Sequence, residues 1–253
     1  MFDAMETAFS RTEILLGRDA LDYLAQCHVL VAGLGGVGGY VAENLARAGV
    51  GRLTLIDHDT VGPSNLNRQL VALHSSLGRA KVAVMRERIA DIAPDCRVEG
   101  HATFLDGKNV RPLLAELSPD ILADCIDAIA CKVELILAAQ TLNLPIFSSM
   151  GAGNRLDPAQ IRLARLNQTE GCPLAREVRA LLRKAGGSLD FWTVYSREAP
   201  RPAAPAQTSG TGPGGRAKTV NGTISYMPAF FGLWLSAAIL RHALRVGGFS
   251  QIV

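Results

Sequence analysis

A glycine-rich turn between two apolar patterns most constrains how this 253-residue chain can fold. Residues 29–32 form a short run of valine, leucine and alanine, which is typical of a buried parallel strand. Gly33, Gly35 and Gly38 follow at the spacing that allows a tight turn, close backbone approach to a phosphate and close helix–strand packing. Residues 38–48 then show helical spacing, and the free N–H groups at a helix start favour anions. The pattern therefore predicts a nucleotide site at the turn.

An acid at the end of the next predicted strand, residues 53–57, supports the same interpretation. Asp57 stands where a carboxylate accepts hydrogen bonds from a ribose. These features leave the nucleotide open, because ATP, NAD and FAD all fit them, and a glycine turn can also serve packing alone.

A polar segment beyond that strand favours ATP chemistry over hydride transfer. Arg68 can contact phosphate bidentately, and Lys81 can act as a point charge. Two cations beside a triphosphate suit a reaction in which pyrophosphate leaves and charge builds on the departing oxygens. The alternative is that both are ordinary surface charges.

A second acid follows the predicted strand 121–125 at the carboxyl edge of the sheet, where ligands bind. Asp127 can hold Mg²⁺, which bridges phosphate oxygens. It can also cap the helix that follows, and the two roles do not exclude each other.

Alternating strand and helix patterns predict an α/β protein with a Rossmann-like, mostly parallel sheet and helices on both faces. The predicted strands lie near residues 29–32, 53–57, 97–102, 121–125 and 145–149, and the helices near 38–48, 78–92, 108–117 and 130–142. Later patterns predict a C-terminal extension of antiparallel strands and a final apolar helix: strands 161–166 and 191–195, a helix at 173–184, a short strand after Asn221-Gly222, and a helix at 228–245. We expect three parts: an N-terminal helical arm (1–27) interrupted at Gly17, an ATP-binding domain (28–150), and a substrate and dimerisation part (151–253) with a mobile loop at 199–218.

Composition adds weaker constraints. The net charge of +3 neither requires nor excludes a nucleic-acid partner. The five cysteines include no CxxC pair, so we expect reduced thiols, no structural zinc and a cytoplasmic location without a signal peptide. The apolar run 224–240 contains Pro228 and is shorter than the roughly 20 residues of a membrane span, which favours a buried or dimer-contact helix over peripheral membrane contact.

These motifs resemble the ThiF/HesA/MoeB superfamily of ATP-dependent adenylating enzymes, the fold also used by ubiquitin-activating enzymes. Within it the chain is most similar to the threonylcarbamoyladenosine dehydratase group. The superfamily motifs are residues 33–38, Asp57, Asp59, 65–69, Lys81 and Asp127. The dehydratase group is indicated by segments 11–17, 149–158, 173–176 and 194–196.

The resemblance implies adenylation of the threonine carboxylate of threonylcarbamoyladenosine beside the tRNA anticodon, followed by ring closure with loss of AMP. It implies ATP and Mg²⁺ as cofactors, a homodimer and an optional sulfur-relay partner. The implied ATP-binding residues are Gly33, Gly35, Gly36, Gly38, Asp57, Asp59, Asn65, Asn67, Arg68, Gln69 and Lys81. The implied catalytic residues are Arg68, Lys81, Asp127 (also the metal ligand) and Arg11, which would reach the partner's ATP.

Two features depart from this pattern or extend it. Cys172 stands where the dehydratase group is expected to carry an acid, so it is either a nucleophile or a small residue before a helix. Four cations at helical spacing, Arg176, Arg179, Arg183 and Lys184, form either a tRNA-binding strip or a solvated face. Loop cations Arg201, Arg216 and Lys218 are further candidates for RNA contact.

Two other functions remain open at this point. The first is activation of a ubiquitin-like sulfur-carrier protein, which would normally come with zinc. The second is an NAD-binding oxidoreductase or a binding module without catalysis, in which Arg68 and Lys81 would have no evident task.

Overall fold

The computed structural model describes residues 7–202 and 221–252. Its strands are β1 (His28–Ala32), β2 (Arg52–Ile56), β3 (Arg97–His101), β4 (Ile121–Asp124), β5 (Ile146–Ser149), β6 (Ile161–Arg165) and β7 (Trp192–Ser196). Its helices are α1 (Ser10–Leu16), α2 (Arg18–Leu24), α3 (Gly38–Arg47), α4 (Lys81–Ile92), α5 (Val110–Leu117), α6 (Ile129–Thr141), α7 (Pro173–Lys184) and α8 (Tyr226–Val246).

All the strands join one sheet in the order β3-β2-β1-β4-β5-β7-β6. Every neighbouring pair is parallel except β6 and β7, which are antiparallel. The predicted α/β class with a largely parallel sheet is confirmed. β7 extends the parallel part beside β5, so the sheet continues without a break from the first half of the chain into the second.

From β1 the chain adds β2 and β3 on one side of the sheet, and it then returns to the other side of β1 with β4. The strand order therefore reverses at β1. In open α/β sheets a crevice forms outside the carboxyl ends of the strands at such a reversal, and ligands bind there. The glycine turn leaves β1 at this edge, so the topology puts the predicted nucleotide turn where a ligand is expected.

Two apolar cores cover the two faces of the sheet. On one face α2, α3, α4 and α8 bury side chains such as Val41, Met85 and Phe231 against alternate strand residues. On the other face α5, α6 and α7 do the same, with Leu114, Ile136 and Leu182 among them. Helices thus lie on both faces, as predicted.

The chain near residue 221 differs from the prediction. Residues 221–225 form no strand, and α8 begins at Tyr226, before Pro228. A proline is tolerated in the first turn of a helix because the N–H it lacks would have no partner there. α8 is long and apolar enough to span a membrane by length and composition alone, yet 56% of its most apolar window is buried inside the protein.

Residues 7–27, the described part of the N-terminal arm, form two helices, which break at the predicted position, Gly17, where φ is +84°. None of the residues of α1 is buried, and Ile14 and Leu15 are 83% and 76% exposed. An apolar helix surface of this kind marks a place where another surface can pack.

Candidate active site

The glycine turn is shaped by contacts that only glycine permits. Gly33 has φ of +90°, a left-handed conformation that disfavours other residues. A Cβ on Gly38 would lie 1.8 Å from the Gly33 carbonyl oxygen, so the start of α3 packs directly on the end of β1. Around Gly35 there is room, because the atom nearest to an added Cβ is Gln69 Nε2 at 3.9 Å. A phosphate can therefore approach the backbone closely at Gly35.

Asp57 is tied to this turn by its own carboxylate. Its Oδ2 accepts the Leu34 N–H at 2.6 Å, and its Oδ1 accepts the Asp59 N–H at 2.8 Å. The side chain is buried at the end of β2. Each carboxylate oxygen has a further lone pair, so the predicted ribose contact is compatible with these bonds.

Lys81 is the first residue of α4, and its side chain is only 4% exposed. Its Nζ lies 2.8 Å from Asp59 Oδ2, and its backbone N–H donates to the Asp59 carbonyl. An ammonium group has three donors. The Asp59 carboxylate therefore orients the Lys81 side chain, and two N–H donors of the ammonium group remain available for a phosphate.

Arg68 is held on the loop between β2 and α4. Its Nη1 donates to the Ser64 carbonyl at 2.8 Å and to Asn67 Oδ1 at 2.9 Å. Because a guanidinium carries five N–H donors, these two bonds orient the group and leave others for phosphate oxygens.

The remaining polar residues of this loop have different partners. Asn65 Oδ1 accepts the Gly62 N–H at 3.0 Å, so that side chain shapes the loop that carries Arg68. Asn67 Nδ2 donates to the Thr223 carbonyl at 3.3 Å. Gln69 is 8% exposed, and its buried Oε1 accepts no hydrogen bond from the described residues. A buried acceptor without a donor costs about 1–3 kcal/mol, which fits a hydroxyl or amino group of a ligand as the missing donor, since phosphate oxygens only accept hydrogen bonds.

Asp127 is exposed on the loop after β4. The alternative role as a helix cap is wrong, because the N-cap of α6 is Ala128 and no side chain caps that helix. No hydrogen bond to the Asp127 carboxylate comes from the described residues. Mg²⁺ is usually held by one or two carboxylates together with substrate phosphates, so this side chain fits the predicted metal contact.

Sequence reasoning missed a buried network directly beneath that loop. Asp124 Oδ2 accepts hydrogen bonds from Lys132 Nζ and from Ser148 Oγ, both at 2.6 Å, and its Oδ1 accepts the Ile126 N–H at 3.1 Å. Lys132 Nζ also reaches the Ser149 carbonyl at 3.0 Å. A lone lysine in the mostly apolar helical pattern 129–139, where Glu134 is the other charged residue, is the signal that would have found it.

Two cysteines, Cys125 after β4 and Cys172 before α7, are poorly placed as nucleophiles. Burial, and then the neighbouring Asp124, raise the pKa of Cys125 far above its usual range. Cys172 is the N-cap residue of α7 and only 4% exposed. Because a nucleophilic thiolate needs access to its substrate, the structure favours the small-residue interpretation of Cys172.

The predicted basic strip on α7 is only partly available. Arg176, Arg183 and Lys184 are exposed. Arg179 is half-buried, and its Nη1 donates to the Thr169 carbonyl at 2.9 Å and to the Thr169 hydroxyl. The guanidinium of Arg179 thus braces the backbone before α7.

The remaining cations predicted to contact ATP or RNA are Arg11 and the loop residues Arg201, Arg216 and Lys218. Arg11 is exposed on α1 and forms no hydrogen bond or ion pair with the described residues. The backbone N–H of Arg201 donates to the Asn154 carbonyl at 2.8 Å. Arg216 and Lys218 lie outside the described residues, as does most of the predicted loop 199–218.

A parallel sheet that reverses its strand order beside a glycine turn places this chain among the Rossmann-like nucleotide-binding proteins. Within that class the ThiF family matches residues 9–248, and the chain belongs to this family. The predicted membership of the ThiF/HesA/MoeB superfamily is confirmed.

Three relatives show where the chain stands inside the family. It is 40% identical to the tRNA threonylcarbamoyladenosine dehydratase of Bacillus subtilis over 192 residues, which cover 76% of this chain and 75% of that protein. The structure of the Escherichia coli dehydratase TcdA in complex with ATP matches with a TM-score of 0.85 at 34% identity, covering 97% of each chain. The molybdopterin-synthase adenylyltransferase of Escherichia coli is 34% identical over 166 residues, 65% of each protein. The predicted similarity to the dehydratase group is confirmed.

Proposed function

We propose that this protein adenylates the threonine carboxylate of N6-threonylcarbamoyladenosine in tRNA and then closes a ring on the activated carboxyl group. The observation that carries the proposal is the similarity to the ATP-bound dehydratase, which extends over 97% of both chains. By sequence, the match to the Bacillus subtilis dehydratase covers 76% of this chain, whereas the matches to the molybdopterin-synthase adenylyltransferase and the sulfur carrier protein ThiS adenylyltransferase of Escherichia coli cover 65% and 57%.

The chemistry agrees with the site. A carboxylate oxygen of the substrate attacks the α-phosphorus of ATP, and pyrophosphate leaves. A nucleophile in the same substituent then attacks the activated carbonyl carbon, and AMP leaves with one carboxylate oxygen. The net change is the loss of water from the nucleoside. The second step requires no enzyme nucleophile, because intramolecular placement contributes roughly 7–11 kcal/mol to lowering the barrier.

The residues of the glycine turn and its neighbours serve the first step. The space above Gly35 admits the phosphates, and Asp57 receives the ribose hydroxyls. Arg68 and Lys81 counter the charge that develops on pyrophosphate. Asp127 would hold Mg²⁺, which neutralises phosphate oxygens when bound.

We further propose that two copies of the chain associate through α1. The exposed Ile14 and Leu15 give this helix an apolar surface, and Arg11 is next to them on the same helix. Association through this surface would allow Arg11 to reach the ATP of the partner. The cytoplasmic location remains a prediction from the cysteine pattern and the N-terminal residues, and a sulfur-relay partner remains a prediction from the resemblance.

Pyrophosphate release from ATP and Mg²⁺ tests the proposed function when it is measured with and without tRNA carrying threonylcarbamoyladenosine. We expect release that depends on this tRNA, and mass analysis of the nucleosides should show the loss of one water. Release only with a small protein ending in Gly-Gly would transfer the assignment to sulfur-carrier activation. NAD binding without any release would refute adenylation altogether.

A further inference from the structure

A cavity of about 260 Å³ opens at the edge of the sheet opposite the glycine turn. It lies at the amino ends of β5 and β7 and at the carboxyl end of the antiparallel β6, and α8 contributes His242. Typical small-molecule sites measure about 300–1,000 Å³. This cavity therefore suits a single ring system and is too small for a whole nucleoside triphosphate.

The cavity wall is already arranged for stacking. The Arg165 guanidinium carbon lies 4.2 Å from the centre of the Trp192 ring, and Arg165 Nε lies 3.3 Å from Asp190 Oδ1. Phe147 is paired in register with Trp192 on the neighbouring strand, and its ring lies 5.3 Å from the ring of His242. Aromatic rings and guanidinium planes are the surfaces on which unpaired RNA bases stack.

His242 adds a polar ring to the cavity without adding charge at neutral pH. Burial lowers its pKa below the usual value, and the nearby Arg165 and Arg245 lower it further. A neutral imidazole offers one donor and one acceptor to the edge of a base.

Helix α7 connects this cavity with the ATP edge of the sheet. Its first turn packs beside Gly151, just beyond the carboxyl end of β5. After its last turn, Ser188 lies at the cavity and exchanges hydrogen bonds with Gln140. The twelve residues of α7 span about 18 Å, which a stacked single strand covers in about five nucleotides at 3.4 Å each. Exposed Arg176, Arg183 and Lys184 follow that path.

We propose that the cavity receives one unstacked base of the tRNA anticodon loop while the modified adenosine meets ATP at the opposite edge of the sheet. The inference rests on the proposed function and adds to it a second contact with the same substrate. Stacking on Trp192 and Arg165 would fix the distance between that base and the reacting nucleoside.

The chain contains two tryptophans, Trp192 and Trp234, which makes a direct test practicable. In the Trp234→Phe variant, Trp192 is the sole indole fluorophore. An anticodon stem-loop should quench its fluorescence at the concentrations at which the stem-loop binds. An abasic substitution at one loop position should abolish the quenching. Binding without quenching would overturn the proposal, and so would quenching by free nucleosides at the same concentrations, because the ligand would then be a small molecule.

A pair of charge-matched variants gives an independent measurement. Arg165→Met should weaken binding of the stem-loop by about 5- to 140-fold, the range expected for losing one stacked base. Arg162→Met removes the same charge from the same strand but lies outside the cavity, and it should change affinity much less. Equal effects of the two variants would refute the cavity contact.

The outcomes separate this inference from the proposed function. If the unmodified protein neither binds the stem-loop nor dehydrates the nucleoside, the proposed function has failed. If it dehydrates the nucleoside while Arg165→Met binds and turns over normally, only the cavity assignment has failed.

Discussion

The buried ion pair beneath the Asp127 loop allows a quantitative test of the structure. Lys132 and Asp124 are fully buried, with Nζ 2.6 Å from Oδ2. Lys132→Met removes the cation but keeps much of the side-chain volume, so among the described residues Asp124 retains only its bonds from Ser148 and Ile126. Removing one partner of a buried pair typically costs 3–5 kcal/mol. Because two donors remain, we expect a loss of about 3 kcal/mol.

Urea and thermal unfolding would measure this loss. For a domain of this size about 3 kcal/mol corresponds to a fall in Tm of roughly 6–12 °C. Adding Asp124→Asn to Lys132→Met removes the uncompensated charge and should recover much of the stability, since replacing both partners is often neutral. Lys108→Met is the matched control, because Lys108 is exposed, and its effect should stay within about 0.5 kcal/mol.

The same variant should alter the active site. Asp124 holds the Ile126 N–H, one residue before Asp127, so Lys132→Met should raise the Mg²⁺ concentration needed for half-maximal pyrophosphate release. The reasoning is refuted if Lys132→Met loses less than about 1 kcal/mol, or if the double variant is no more stable than the single one.

Three further predictions concern the turn, its neighbour and the core. Gly38→Ala places a Cβ 1.8 Å from the Gly33 carbonyl oxygen, so it should abolish the rise in Tm that ATP produces; a normal rise would contradict the packing described. Gln69→Leu removes a buried acceptor without a described donor. The variant should therefore be as stable as the unmodified protein or more stable, while its KM for ATP should rise about tenfold. Lower stability with an unchanged KM would argue against a ligand contact. Burial and nearby Arg52 lower the pKa of His28, so its neutral form stabilises the fold above pH ~6.5 and this contribution is lost as pH falls toward the folded-state pKa. The urea midpoint should fall over that range, and His28→Asn should flatten the profile.

Local sequence patterns predicted the elements that depend on local physics. The turn at Gly33 to Gly38 is required by backbone sterics, and the break at Gly17 by a left-handed φ. Alternating apolar periods predicted the parallel sheet because a strand buried on both faces must be apolar throughout. The prediction of a short strand after residue 222 was wrong. A strand also requires the free edge of another strand to pair with, and the position of that edge depends on contacts distant in sequence.

The fine structure of the site could not be inferred from residue types. Arg179 has the spacing of a phosphate-binding cation, yet it donates to the backbone of Thr169. Asn65 belongs to the motif that was predicted to bind ATP, yet its side-chain oxygen accepts a hydrogen bond from the Gly62 N–H. In both cases the competing partner is a carbonyl or N–H group whose position depends on how the chain folds around it.

The sequence by itself determined the fold class, the position of the nucleotide turn and the family, because these depend on glycine spacing, apolar periodicity and short motifs. Only the tertiary structure decided which polar groups remain available to a ligand. Asp124 and Lys132 are eight residues apart and pair because β4 and α6 pack together, while β6, β7 and α8 create the cavity beside Trp192. Such contacts join different strands and helices, and a hydrogen bond or a cavity exists only once those elements have packed within a few ångströms of each other.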